Sequence, residues 1–174
     1  MPPASNNHAY KDAVAKLEAD HDRIEALFEK VDKAEGAEKQ RLGIQVANLV
    51  KIHMTLEEEF LYPALRGKAD DDKLTEGLVE HDTGKLLIND VLSEDTDPDS
   101  FGPKLQVLGE QMEHHHKEEE EKGKGVFDQA RQSDLDLVAM LEAMTEREEE
   151  LRQQVADDDL PASDMNFVAA QEST

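Results

Sequence analysis

Apolar residues recur at steps of three and four along four long stretches of the chain, and this period constrains the fold more than any other feature. Such a pattern is typical of amphipathic helices that each bury one face. The predicted helices cover residues 9–34, 38–65, 72–93, 99–130 and, shorter and more polar, 134–155. Short connections between four long helices favour an all-α fold, an antiparallel up-down four-helix bundle with an additional C-terminal helix.

The chain length of 174 residues is typical of one domain with a core large enough to hold a site. We predict a helical domain over residues 1–156, with the bundle core at 10–130 and the extra helix at 134–155, which Ser133 would cap. Residues 157–174 lose the helical period and are predicted to form a flexible tail.

The composition limits the possible partners and sites. A net charge of -23, from 19 Lys+Arg and 42 Asp+Glu, would repel nucleic acid phosphates and anionic membranes, so we expect neither as a partner. The absence of cysteine excludes thiolate nucleophiles and cysteine-ligated metals, so His and carboxylates must hold any metal. Residues 1–10 lack the pattern of a signal peptide and no stretch is as long as a membrane span, so the expected location is the cytoplasm.

A histidine interrupts each apolar stripe near the middle of its helix. These residues are His21, His53, His81 and His115. Because an antiparallel bundle directs all four stripes towards one axis, the four imidazoles are expected to converge in a buried layer. A single histidine on an apolar face is more often a core residue than a ligand, but four buried imidazoles without a metal would need four hydrogen-bonding partners.

Two glutamates share these faces. Glu57 follows His53 by four residues and Glu119 follows His115 by four, so each pair lies side by side on its helix. A carboxylate can bridge two metal ions while imidazoles cap each ion, and the six residues together predict a two-metal site. Imidazole and carboxylate ligands suit iron, manganese or zinc, and we rank iron first. Both glutamates also belong to acidic runs that are normally solvated. Only their position on the apolar stripe of the helix distinguishes them from the neighbouring acidic residues.

The register of the fourth helix has an alternative, because His115 belongs to a run of three histidines. His116 and Glu120 have the same spacing as His115 and Glu119, but lie on an adjacent stripe. The pattern favours His115 and Glu119, which continue the stripe that contains Met112. Gly123 and Gly125 weaken the end of this helix.

The order and spacing of these motifs resemble the hemerythrin HHE cation-binding family over about residues 10–130. The motifs are Asp20-His21, His53-x-x-x-Glu57 followed by Leu61-Tyr62-Pro63, Glu80-His81, and His115-x-x-x-Glu119. The resemblance implies a non-haem di-iron centre with two oxo- or hydroxo-bridged Fe ions, with Mn or Zn less favoured. The four histidines would then be terminal ligands, and Glu57 and Glu119 the bridges.

Two departures from respiratory hemerythrins narrow the expected function. Lys85 occupies the place of a fifth ligand histidine, and the second bridging carboxylate follows its histidine by four residues instead of five. The resemblance therefore implies a protein that reacts with or binds O2, peroxide or NO in redox response or sensing, with possible catalase-like activity. The alternatives are an iron buffer or sensor, or reversible O2 binding without catalysis. The sequence does not identify a protein partner, and Lys85 is expected to extend its stem towards solvent.

Overall fold

The computed structural model describes residues 9–169, and within this range the regular structure is entirely helical. The α-helices are α1 (Ala13–Lys33), α2 (Gly36–Leu56), α3 (Tyr62–Leu65), α4 (Asp71–Val91), α5 (Pro98–Glu119), α6 (Val126–Gln132) and α7 (Leu137–Ala156). A π-helical turn, Glu57–Leu61, connects α2 to α3 without a break. The predicted all-α class is confirmed.

Aspartate side chains cap four of the helix N-termini. Asp12, Asp70, Asp97 and Asp136 each accept a hydrogen bond from a backbone N–H in the first turn of α1, α4, α5 and α7. These bonds satisfy donors that the helix itself leaves free. The predicted cap at Ser133 is wrong, because Ser133 ends α6 and its hydroxyl donates to the carbonyl oxygen of Ala130 at 2.6 Å.

The stretch predicted as one helix over 99–130 is two helices separated by a loop at 120–125. Gly123 has a φ of +76°, which favours glycine. At Gly125, an added Cβ would lie 2.2 Å from the carbonyl oxygen of Glu119, so the chain can turn closely around the end of α5 only with glycine there. The two glycines therefore end the helix directly after Glu119.

The long helices pack in a closed circuit, with α1 against α2, α2 against α4, α4 against α5 and α5 against α1. α7 lies across α1 and α2. The buried apolar residues form two separate clusters, one around Leu17, Leu56 and Phe127 and the other around Ile24 and Leu108. On α1 and α4 the polar residues that interrupt the stripes lie between residues of the first cluster and residues of the second, so a polar layer divides the core.

Residues 157–169 contain no helix but make hydrogen bonds to α2 and α4. Asn89 and Ser163 exchange two bonds, and Asp82 accepts from the backbone N–H groups of Asn166, Phe167 and Val168. The domain limits and the flexible tail remain predictions, and residues 1–8 and 170–174 lie outside the described range. Among residues 9–169, no helix is both long enough and apolar enough to cross a membrane.

Candidate metal centre

The structure brings the six predicted ligands together in the polar layer. His21 comes from α1, His53 from α2, Glu57 from the start of the π turn, His81 from α4, and His115 and Glu119 from α5. Each of the six is at most 3% exposed. Their assignment as ligands remains a prediction, but their convergence is what the interrupted stripes predicted.

The four imidazoles form two pairs of matching geometry. The Nε2 atoms of His21 and His53 lie 3.0 Å apart, and so do those of His81 and His115. In each pair the ring centroids are 4.7 Å apart and the planes are inclined by 67°. Two adjacent nitrogen ligands of an octahedral metal ion, each about 2.1 Å from it, are separated by about 3.0 Å. Each pair is therefore spaced as two neighbouring ligands of one ion.

Glu57 lies between the two pairs. Its Oε1 is 3.2 Å from His53 Nε2, and its Oε2 is 3.2 Å from His81 Nε2. Glu119 has a similar position, with Oε2 3.4 Å from His21 Nε2 and 3.5 Å from His115 Nε2. Within the described residues, neither Glu57 oxygen nor Glu119 Oε2 receives a hydrogen bond. Such buried carboxylate oxygens need a positively charged partner.

The π turn positions Tyr62 beside the layer. The N–H of Tyr62 bonds to the carbonyl oxygen of Glu57, five residues back, where the sequence predicted an unbroken α-helix. Single π turns of this kind are frequent at functional sites. The Tyr62 hydroxyl donates to Glu119 Oε1 at 2.5 Å, and its ring stacks on His81 with centroids 5.4 Å apart. The sequence indicated no role for Tyr62 beyond its place in the Leu61-Tyr62-Pro63 motif.

Each imidazole of the two pairs turns its second nitrogen, Nδ1, towards a carboxylate from another segment of the chain. The contacts are His21 to Glu120 at 2.6 Å, His53 to Asp20 at 3.6 Å, His81 to Glu58 at 3.0 Å and His115 to Glu80 at 2.6 Å. We call Asp20, Glu58, Glu80 and Glu120 the outer carboxylates. In metal sites, such partners hold the proton on one nitrogen and leave the other free for the metal. Glu120, the alternative ligand, is thus an outer partner of His21.

The electrostatics of the layer favour a cation. With Nδ1 protonated, the Nε2 lone pairs of each pair would face one another at 3.0 Å, which requires a proton or a metal between them. Burial lowers the pKa of His53 and His81, but Glu57 and the outer carboxylates more than compensate and raise these pKa values to about 10 and about 9. Burial raises the pKa of Glu57, but the His53 and His81 imidazoles more than compensate and hold it well below its ordinary value. The donor set therefore fits metal ions, and protons replace them in the metal-free protein.

Two buried lysines support the outer carboxylates. Lys16 pairs with Asp20 and, at 2.8 Å, with Glu148 of α7. Lys85 donates to Glu58 at 2.8 Å and to the carbonyl oxygen of Asp164 at 2.9 Å. The expectation that Lys85 extends into solvent is wrong, since it is only 5% exposed.

The structure buries both His115 and His116, which sequence analysis treated as alternatives. His116 is 1% exposed and stacks on His21, with centroids 3.7 Å apart and planes inclined by 9°. His114, the third residue of the run, has a side chain that is 68% exposed. Successive residues of a helix point about 100° apart, so His115 can face α4 while His116 faces α1.

Comparison with known proteins gives one match. The family model described as Hemerythrin HHE cation binding domain matches residues 12–127, a span that includes all six predicted ligands. No curated protein sequence and no solved structure matches the chain.

Proposed function

The chain belongs to the hemerythrin HHE cation-binding domain family, and from this premise we propose that it holds two non-haem iron ions that react with or bind O2, peroxide or NO in redox response or sensing. We further propose that α1, α2, α4 and α5 run up and down around this centre as an antiparallel four-helix bundle. The observation that carries the proposal is the position of Glu57, whose two free oxygens each face a different imidazole pair.

In this proposal the two imidazole pairs hold one ion each. His21 and His53 would bind the first ion and His81 and His115 the second, while Glu57 and Glu119 would bridge them. Two imidazoles and two bridging oxygens amount to about four protein donors per ion, fewer than the six that octahedral coordination uses. The remaining positions are available to a small molecule.

The chain's own residues prepare these ligands and exclude bulk water. Glu58, Glu80 and Glu120 lie within 3.0 Å of Nδ1 of their imidazoles and would hold a proton there, so that Nε2 is free for the metal. At His53 the negative charge of Asp20, 3.6 Å from Nδ1, favours the same arrangement. The two apolar clusters close the layer from both ends. When bound, iron would supply redox electrons and Lewis acidity to the small molecule.

A small cavity supports a small ligand. It has a volume of about 50 Å³ and is lined by Tyr62, Glu80, His115, Glu119 and other residues of α4 and α5. Since one water occupies about 30 Å³ in the liquid, this space suits a molecule of two or a few atoms. The cavity lies beside the His81 and His115 pair.

The test begins with metal-free protein titrated anaerobically with Fe(II), followed by elemental analysis. We expect about two irons per chain in the wild type, fewer in His53→Gln, and about two in His114→Gln, where the exposed neighbour of the site is changed. Wild-type protein that binds fewer than one iron, or His53→Gln protein that retains two, would contradict the proposed centre.

Exposure of the loaded protein to air, NO and peroxide separates the possible reactions. A visible absorption band that appears with O2 and disappears on its removal indicates reversible binding. Release of O2 from added peroxide indicates catalysis. Rapid transfer of the iron to a chelator, with no response to these molecules, would favour the iron buffer.

A further inference from the structure

His116 is a buried polar side chain that the six-ligand centre does not use. It is 1% exposed, and within residues 9–169 neither of its ring nitrogens has a hydrogen-bonding partner. A buried imidazole without partners is unfavourable, because its nitrogens lose the hydrogen bonds that water would supply. Three of the other four buried imidazoles have a carboxylate within 3.0 Å of Nδ1, and the fourth, His53, has Asp20 at 3.6 Å. His116 differs from all of them, because both of its ring nitrogens lack a hydrogen-bonding partner among these residues.

The position of His116 would allow one of its ring nitrogens to bind a metal ion. One ring nitrogen of His116 lies within 4.8 Å of those of His21 and His53, and these two in turn form one pair of the centre. Nitrogens on one metal are about 3.0 Å apart when adjacent and about 4.2 Å apart when opposite. The 4.8 Å limit is close to the second of these distances, so the three imidazoles lie near enough to share one ion.

We propose that His116 is a fifth imidazole ligand, bound to the ion of His21 and His53. The inference rests on the proposed two-metal centre and deepens it, because it makes the ions unequal. One ion has three imidazoles, from His21, His53 and His116. The other has two, from His81 and His115, and lies beside the small cavity at Tyr62. The more open ion is then the one that a small molecule meets.

Access to His116 from outside makes this ligand testable. A second cavity, of about 580 Å³, lies between α1 and α5, and Ile24, Phe28, Gly109 and Met112 are among the residues that line it. His116 forms part of its wall, while exposed acidic residues such as Glu25 and Glu29 also line it. Since no outer carboxylate orients His116, its bond to the metal is expected to be more easily exchanged than the other four.

The experiment uses the metal-free full chain and Co(II), whose visible absorption reports its ligands and whose affinity can be measured by competition with a chelator. Three variants are compared with the wild type. His116→Phe keeps a ring stacked on His21 but removes the nitrogens, His116→Ala removes both, and His114→Ala changes the exposed neighbour as a control. Helix content by circular dichroism verifies the fold of each variant.

We expect wild type and His114→Ala to bind two Co(II) with the same affinities and spectra. His116→Phe and His116→Ala should bind one of the two ions at least about 10-fold more weakly. The loss of an outer partner alone lowers metal affinity about 10-fold to 100-fold, and the loss of a ligand should lower it at least as much. Only the absorption of that one Co(II) ion should change. In His116→Ala, added imidazole should restore the binding of that ion, because it can enter the cavity and replace the missing side chain.

Wild-type affinities and spectra in His116→Phe, with no response of His116→Ala to imidazole, would overturn the inference and leave His116 as a packing residue. In that case wild type still binds two ions, so the proposed centre stands. Failure of the wild type to bind two ions would overturn both.

Discussion

The two halves of the candidate centre have nearly the same inner geometry but different surroundings. In both halves two imidazole nitrogens lie 3.0 Å apart at the same ring inclination. Yet His21 stacks on His116, an imidazole, whereas His81 stacks on Tyr62, a phenol that donates to Glu119. The bundle therefore repeats the ligand pair, and the ring that stacks on each pair makes the two halves unequal.

The supports behind each half differ as well. In the half that contains His21 and His53, Lys16 forms ion pairs with Asp20 and with Glu148 of α7. In the half that contains His81 and His115, Lys85 donates hydrogen bonds to Glu58 and to the carbonyl oxygen of Asp164, in the segment after α7. The parts of the chain that follow the four long helices thus each support a different half of the centre.

The largest effect should come from the residue that both halves share. Glu57→Gln replaces an oxygen that faces one pair with an NH2 group and removes the negative charge between the pairs. We expect the affinity for both ions to fall more than about 100-fold, beyond the loss caused by an outer partner. Elemental analysis after gel filtration should find less than one iron per chain.

Glu59→Gln is the control for this change, because Glu59 lies in the same acidic run but pairs with Arg147 at the surface. It should retain about two irons. Equal iron content in Glu57→Gln and Glu59→Gln would show that Glu57 does not join the halves.

The next largest effect should separate the two lysine supports. Lys16→Met leaves Asp20 and Glu148 without their buried cation, and removal of one member of a buried ion pair costs about 3 kcal/mol or more. Lys85→Met should cost less, about 1 kcal/mol, because the partly exposed Glu58 side chain keeps its contact with His81. Asp82, 3.6 Å from Lys85, keeps the three backbone N–H groups that it accepts from. Urea unfolding of the metal-free proteins measures both free energies.

An equal loss in the two variants would contradict this ranking. Lys33→Met is a suitable control, because Lys33 pairs with Glu29 at the surface and its replacement should change the free energy of unfolding little.

A smaller effect should come from the outer carboxylates, and it should be confined to one half at a time. Asp20→Asn weakens the partner of His53, and Glu58→Gln weakens the partner of His81. Each change should lower the affinity for one ion about 10-fold to 100-fold and leave the other within a few-fold. Chelator competition with Co(II) resolves the two steps.

Asp22→Asn supplies the comparison for this prediction, since Asp22 is exposed and has no part in the layer. Loss of affinity for both ions in Asp20→Asn would mean that the halves do not respond separately.

Sequence periodicity predicted the inner layer because a buried histidine leaves a gap in an apolar stripe. His21, His53, His81 and His115 each interrupt such a stripe, and the phase of Glu119 singles it out from an acidic run. The burial of His116 escaped this reasoning, since a stripe describes one helix face while α5 faces both α1 and α4 at this level.

Other parts of the centre depend on contacts between helices, which one helix's periodicity does not contain. Glu120 follows a ligand in sequence but serves His21 on another helix, and Asp20 likewise serves His53. The π turn that positions Tyr62 also left no sign in the apolar period. The support of Lys85 by Asp164 required a segment without any period to lie against the bundle.

The smallest expected effect is the release of protons when metal binds. It tests whether each half of the centre releases one proton. In the metal-free protein the pKa values of His53 and His81 are raised to about 10 and about 9, so both imidazoles are protonated at pH 7. Because a metal binds the neutral imidazole, binding must displace these protons, and we expect a release of about two per chain. Calorimetry with Co(II) in buffers of different ionisation enthalpy gives the number.

The sign of the pH dependence follows from the same pKa values. Below about pH 9 protons compete with the metal, so affinity should increase as the pH rises, and the release should decline through about pH 9 to 10 as the imidazoles become neutral. His53→Gln and His81→Gln should each remove about one proton, while His114→Gln should remove none. If a single variant abolished the entire proton release, both protons would come from the same half of the centre. The two imidazole pairs would then differ in charge despite their matching geometry.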